Sequence, residues 1–414
     1  MMTTTILLAT GIFLAVILLL VALLLIIKAK LVPSGNIHVV VNGQKDIETP
    51  IGSTALAALQ GGGIFLSSAC GGGGKCGQCK CIIEEGAGDI LPTEVGFFTR
   101  KQIKQNYRLA CQSKIKENAV VTVPEDVFGV KEWEVEVVSN HNVATFIKEF
   151  VVRLPKGEHM DFKPGSYAQI NIPAFEVNYK DYDIEEQFRA DWDKFNMWDL
   201  KCVNTEPTVR AYSMANYPAE GDIIMLNVRI ATPPFKPRPQ VGFMDVNPGI
   251  GSSYIWNLKP GDKVIMSGPY GDFHIQETDN EMLYIGGGAG MAPLRAQLLH
   301  LFKTVKTGRK VSYWYGARSR AEIFYEEDFR AIEREFPNFS FHIALSAPLP
   351  SDNWDGPVGF IHQVIHDNYL KDHEAPEDIE YYMCGPGPMS KAAVNMLLDL
   401  GVSHDNIYFD DFGA

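Results

Sequence analysis

The chain has 414 residues, 46% of them hydrophobic and 21% charged, which allows two or three domains with ample core and gives no sign of large-scale disorder. A formal charge of −13 gives no support to a nucleic-acid partner and would repel a soluble body from anionic lipid. Any membrane attachment must therefore come from a dedicated segment.

Ile6 to Ile27 is such a segment, 22 residues without one charge and about 33 Å long as a helix. The preceding Met-Met-Thr-Thr-Thr holds no basic residue and no small-x-small site follows, so a retained anchor is expected in place of a cleaved signal peptide. Lys28 and Lys30 flank only the C-terminal end, and the positive-inside rule then leaves residues from about 31 onward in the cytoplasm. In that reducing compartment the seven cysteines read as ligands and free thiols, not as a disulfide framework.

After a polar break ending near residue 35, a small β-rich domain is expected over 36–127. Ile37 to Val41 followed by Asn42-Gly43 predicts a strand and hairpin turn. A short helix is expected over Thr54 to Gln60, and a closing strand over Ala119 to Val123. Between them stands Cys70-Gly-Gly-Gly-Gly-Lys-Cys76-Gly-Gln-Cys79, with Cys111 far downstream. Three ligands from one loop and a distant fourth is the plant-type [2Fe–2S] arrangement, Cys-x4-Cys-x2-Cys, with one extra residue in the first gap. The glycines Gly71 to Gly74 would let backbone N–H groups curl toward an anionic cluster at φ > 0. Structural zinc prefers paired Cys-x2-Cys knuckles, and only Cys76 and Cys79 form one. Cys81 reads as a spare buried thiol.

From Glu132 the pattern changes to β segments, Glu134 to Val138, Ile147 to Leu154, Tyr167 to Ile172 and Ile223 to Ile230, separated by Gly and Pro turns. This predicts an antiparallel barrel over 128–278. Phe175 to Glu206, charged and aromatic, interrupts it, either as an insertion packing on its own barrel or as a docking surface for a partner subunit. Within the barrel, Arg210-Ala211-Tyr212-Ser213 would set a cation and an aromatic ring on one strand face, with the Ser213 hydroxyl in reach of a flavin edge. Gly249-Ile250-Gly251-Ser252 resembles a phosphate loop at a helix N-terminus, making Gly249 and Ser252 candidate pyrophosphate contacts.

From about 279 to 414, strand alternates with helix, as in a doubly wound parallel sheet. Gly286-Gly287-Gly288-Ala289-Gly290-Met291-Ala292-Pro293 lies between an apolar strand and a helix, where backbone amides approach a dinucleotide phosphate, with Pro293 as a helix-starting residue. Arg318 and the Cys384-Gly385-Pro386 run fall at strand C-terminal ends, which form the ligand crevice of such sheets. Cys384 is placed there beside the nicotinamide, or else is a buried strand cysteine. Phe412 is a terminal aromatic.

In this order the motifs resemble the ferredoxin-NADP reductase superfamily fused to an N-terminal plant-type ferredoxin domain. The anchor, the long cysteine gap, the insertion and the ending Asp-Asp-Phe-Gly-Ala narrow the resemblance to the F subunits of sodium-translocating NADH:quinone oxidoreductases. That resemblance implies FAD, a [2Fe–2S] cluster and NADH as electron donor, partner subunits in a bacterial inner membrane, and a β-grasp fold for 36–127. It also implies that Cys70, Cys76, Cys79 and Cys111 are the cluster ligands and that Arg210, Tyr212, Ser213 and Ser252 contact FAD. Gly286 to Pro293, Arg318 and Cys384 become the nicotinamide site, and Phe412 the aromatic over the flavin. A reductase feeding electrons from NAD(P)H to an oxygenase, and an anchored redox sensor without turnover, are the competing readings. Arg318 and Arg320 leave a 2′-phosphate open, so NADH rests on the resemblance. No carboxylate lies within the apolar run, so sodium binding is expected in partners.

Overall fold

The computed structural model describes residues 10–23, 35–68, 70–237 and 239–410. A first helix, α1, covers 10–23, with Ile12, Phe13, Leu14, Leu18 and Leu19 exposed. No described helix is long and apolar enough to cross a membrane. Both ends of the predicted span, 6–9 and 24–27, lie outside the described residues.

The remaining chain forms two compact units, one containing 35–66 and 79–127, the other 67–78 with 128 onward. In the first unit, β1 (Asn36–Val41) and β2 (Lys45–Pro50) form an antiparallel hairpin turning at Asn42 and Gly43, with φ of 51° and 65°. Asn-Gly is the pair that accepts positive φ at both centres of a tight hairpin turn, so the expected turn is present. Thr54 caps α2 (Ala55–Gly61), its hydroxyl accepting from Ala57 N at 3.2 Å. With β3 (Lys80–Glu85), α3 (Arg100–Lys104), β4 (Tyr107–Leu109) and β5 (Ala119–Thr122) the sheet order is β2-β1-β5-β3-β4, with β1 and β5 parallel. Val39, Val41, Leu59, Leu109 and Val121 close its core.

The second unit begins with β6 (Lys131–Ala144), β7 (Ile147–Arg153) and β8 (Tyr167–Ile172). The insertion follows, as β9 (Phe175–Asn178), α4 (Arg189–Lys194) and β10 (Lys201–Asn204). Next come β11 (Thr208–Ser213), β12 (Ile223–Arg229), α5 (Ile250–Asn257) and β13 (Lys263–Tyr270). Six of these strands make an antiparallel sheet in the order β11-β8-β13-β6-β7-β12. Met214, just past β11, bridges Leu226 of β12, and Ala215 N donates to Met225 O at 2.7 Å, so the outer strands meet. Then β14 (Met282–Gly287), α6 (Met291–Leu299), β15 (Val311–Ala317), α7 (Glu326–Glu335), β16 (Phe339–Leu345), α8 (Ile361–Asn368), β17 (Glu380–Cys384), α9 (Gly387–Asp399) and β18 (Ile407–Asp410) alternate. Their strands are all parallel in the order β16-β15-β14-β17-β18, the doubly wound arrangement. The helix after the glycine loop starts at Met291, two residues before Pro293, which therefore sits inside the first turn.

The insertion packs on the antiparallel sheet. Trp192 is fully buried, donates through Nε1 to Thr145 O at 3.0 Å, and lies 5.4 Å from the Trp256 ring. Lys148 of β7, also buried, donates to Asp183 O at 2.7 Å, which ties the insertion's entry to the sheet. Removing this fully buried ring leaves a cavity beside Trp256. Trp192→Ala should cost about 3–5 kcal/mol in a urea melt followed by circular dichroism; a cost below about 1 kcal/mol would show that the insertion is not part of this core.

Candidate active site

A buried arginine is one of the ties between the parallel half and the antiparallel half. Arg295 of α6 is buried, donates through Nη1 to Ala215 O at 2.9 Å and Glu220 at 3.0 Å, through Nη2 to Glu220 at 2.9 Å, and through Nε to Asp328 at 3.2 Å. Its guanidinium stacks 4.9 Å from the ring of Tyr325, whose hydroxyl donates to Glu149 and accepts from Asn227 Nδ2 at 2.8 Å. Tyr325 is held at φ 57°, a conformation that costs a bulky residue about 1–3 kcal/mol unless its surroundings enforce it.

Antiparallel pairing of β11 with β8 sends Arg210 and Tyr212 to one face, as the alternation predicts. The start of α5 comes against that face. A Cβ on Gly251 would lie 2.4 Å from Tyr212 Oη and 2.9 Å from Arg210 Cγ, so only glycine lets the helix start approach. The early amides of α5 have no side-chain cap, which leaves donors for an anionic group beside a cation. Ser252 does not offer its hydroxyl freely: Oγ accepts from Ala231 N at 3.0 Å and donates to Gly249 O at 3.1 Å, so it braces the loop. Ser213 Oγ donates to Asp410 at 2.5 Å, bringing the C-terminal strand to the end of β11. Phe412 lies outside the described residues.

At the parallel sheet, Gly290 packs on the end of β17; a Cβ there would lie 2.0 Å from Cys384 O. The glycine loop and the Cys384-Gly385 backbone are thereby brought together. The Cys384 thiol itself is 0% exposed within the hydrophobic core, as in the bland reading of that residue. Gly287, Gly288, Arg318 and Pro386 line a cavity of about 790 Å³. Sequence reasoning missed its other walls, Asp191, Lys194 and Phe195 of the insertion, with Arg229, Phe235 and Glu322. Burial pushes the Glu322 carboxyl up, against the lowering effect of Thr145, Arg318 and Arg229. Arg320 is not among the lining residues.

The cysteines divide between the units. Within 67–78, Gly71, Gly72, Gly74 and Gly77 take φ of 63°, 85°, 70° and 69°, and Cys70 Sγ lies 3.3 Å from Cys76 Sγ. Burial alone would raise the Cys70 thiol, but the amides of Lys75, Cys76 and Gly73 outweigh it and pull it below its ordinary value. The loop is held by Gln78, which accepts from Tyr167 Oη at 2.8 Å. In the first unit Cys79 and Cys111 are buried, and Ala110 N donates to Cys79 O at 2.8 Å. Among the described residues no group of three or more His, Cys, Asp and Glu side chains is gathered as a metal-ion site. Two thiols in contact among inward amides suit one iron of a tetrathiolate pair. Cys81 is inert by contrast, pushed up to about 12 by burial.

The segment around Cys111 rests on a buried ion pair. Glu94 accepts from Arg108 Nη2 at 2.8 Å and from Leu109 N at 2.8 Å, and also from Ser113 Oγ at 3.3 Å, spanning the cysteine on both sides. Burial opposes the Glu94 charge, yet Arg108 and the Leu91 and Leu109 amides hold its carboxyl below the ordinary range.

A doubly wound half, an antiparallel half with a cation–aromatic cradle at a helix start, and a glycine-rich cysteine loop define a ferredoxin reductase-like, multidomain oxidoreductase. The comparisons with known proteins agree with that class. The oxidoreductase NAD-binding domain model matches 284–395, the oxidoreductase FAD-binding domain model 185–275, and the 2Fe-2S iron-sulfur cluster binding domain model 39–116. The F subunit of the Na(+)-translocating NADH-quinone reductase of Klebsiella pneumoniae is 55% identical over 94% of each chain. The corresponding F subunit of Pseudomonas aeruginosa is 52% identical over 99% of each. The chain belongs to the family of Na(+)-translocating NADH-quinone reductase F subunits. Among solved structures, the Amycolatopsis cytochrome P450 reductase GcoB shares the fold at a TM-score of 0.61 and 22% identity, over 91% of this chain and 98% of that one. A ferredoxin reductase of carbazole 1,9a-dioxygenase does so at 0.58 and 24%, over 92% and 99%.

Two outcomes check this geometry. Gly251→Ala should deplete flavin by at least half after gel filtration while cluster absorbance is retained; full flavin content would show that Tyr212 and Arg210 yield freely. For Glu94, the depressed carboxyl contributes stability present above its unfolded value of about 4.3 and lost as pH falls through the folded value. Glu94→Gln should therefore flatten the acid limb of cluster loss below about pH 4.3, and an unchanged limb would assign acid sensitivity elsewhere.

Proposed function

We propose that this chain is the NADH-oxidising electron-input subunit of a sodium-translocating NADH:quinone oxidoreductase, anchored in a bacterial inner membrane by the apolar run 6–27 with its body in the cytoplasm. The observation that carries the reading is the presence, in the second unit, of Arg210 and Tyr212 packed against Gly251 together with a large cavity lined by Gly287, Gly288 and Arg318. The exposed apolar side chains of the helix over 10–23 support the anchor.

In this reading the six-stranded sheet is the FAD barrel. Arg210 and the first amides of α5 hold the flavin pyrophosphate, and Tyr212 lies against the ring system. Ser213, oriented by Asp410, faces the flavin edge where hydride arrives. Gly286 to Gly290, the first turn through Pro293 and Arg318 bind the nicotinamide dinucleotide, and the Cys384-Gly385 backbone bounds the nicotinamide. Phe412, two residues beyond Asp410, supplies the aromatic cap. FAD, when bound, converts a two-electron hydride donor into single-electron steps. Cys70, Cys76, Cys79 and Cys111 hold the [2Fe–2S] cluster through which electrons leave for membrane partners. Gly249 and Ser252 shape the phosphate loop. Quinone and sodium sites belong to those partners.

In full-length protein in detergent, Cys70→Ala should abolish the reduced-cluster EPR signal while NADH still bleaches the flavin at close to the wild-type rate. Loss of both would show that the cluster loop is needed to fold the flavin site, and retention of the EPR signal would remove Cys70 from the ligand set.

A further inference from the structure

The insertion has two sides. Trp192 turns one into the core, but Asp191, Lys194 and Phe195 turn into the 790 Å³ cavity that also holds Gly287, Gly288 and Arg318. Phe195 opens an aromatic row: its ring lies 5.8 Å from Phe235, which stacks at 4.6 Å on Phe243. The loop bearing Phe235 is kept in place by a bridge to Phe243 and by Lys236 N donating to Gly242 O at 2.9 Å. Phe235 nevertheless leaves 57% of its surface open at the cavity. Two guanidinium groups line the same cavity, Arg229 and Arg318, and their charges act on Glu322 in its wall. An open ring face beside two arginines matches a ligand with an aromatic base at one end and phosphates at the other.

We propose that Phe235, backed by Phe195 of the insertion and by Phe243, is the stacking platform for the adenine of a bound dinucleotide, with Arg229 and Arg318 meeting its phosphates. The inference rests on the oxidoreductase reading and adds to it a role for 175–206: this segment completes a cofactor wall. FAD and NADH both carry adenine, so the shared chemistry is the base and the experiment separates the sources.

Full-length Phe235→Ala in detergent is compared with wild type for the FAD dissociation constant and for the KM for NADH with an artificial acceptor. Base stacking on an aromatic side chain implies a loss of roughly tenfold in one of the two. A rise in KM at unchanged flavin affinity assigns the NADH adenine; weakened FAD assigns the flavin's. Phe235→Trp should restore the affected constant, Phe235→Leu should not, and AMP should quench the indole fluorescence of Phe235→Trp. Wild-type values for both constants in Phe235→Ala overturn the inference while leaving the reading intact, whereas wild-type protein inert to NADH overturns the reading itself.

Discussion

The buried guanidinium of Arg295 is the contact on which the rest of the second unit depends. Hydride transfer needs two cofactors at a fixed separation, and here the regions matched by the FAD-binding and NAD-binding domain models are built on different sheets. Arg295 leaves the helix that follows the glycine loop and satisfies its donors on Ala215, Glu220 and Asp328. A planar fork with five donors can do this from one position, which a lysine cannot. If the arginine moved, its own buried charge would be left without these acceptors, which favours one register of the two halves. The left-handed Tyr325 beneath it is kept by the same network.

Around that joint the glycines act by absence. Gly251 lets a helix start reach Tyr212, and Gly290 lets the nucleotide loop reach the Cys384 carbonyl. Both allow close approaches that any side chain at those positions would block. The cysteine loop uses the same device with positive-φ glycines, whose neighbouring amides lower the Cys70 thiol.

Much of this was legible in the sequence. The Asn42-Gly43 turn, the Thr54 cap and the shared face of Arg210 and Tyr212 follow from local rules that tertiary context did not override. The alternation of strand and helix beyond residue 279 pointed to the parallel sheet. Other features had no local signal. Ser252 resembled a phosphate ligand because its spacing is right, but its hydroxyl is taken by Ala231 and Gly249. Cys384 stands at the expected strand end and is fully buried, one of the two settings its sequence context left open. The insertion showed its aromatic content and not its second side, since Phe195 meets Phe235 across 40 residues of chain. Arg295 was overlooked, although a lone arginine in the otherwise charge-free helix Met291–Leu299 is the kind of residue that must find buried acceptors.

The central claim is an order of events within one chain. Anaerobic rapid mixing of full-length protein with NADH, with flavin absorbance and freeze-quenched EPR read on the same samples, tests it most directly. The account predicts flavin bleaching first and the reduced-cluster signal afterwards, with neither in flavin-depleted protein. A cluster signal that appears without prior bleaching, or at an undiminished rate once flavin is removed, would contradict it.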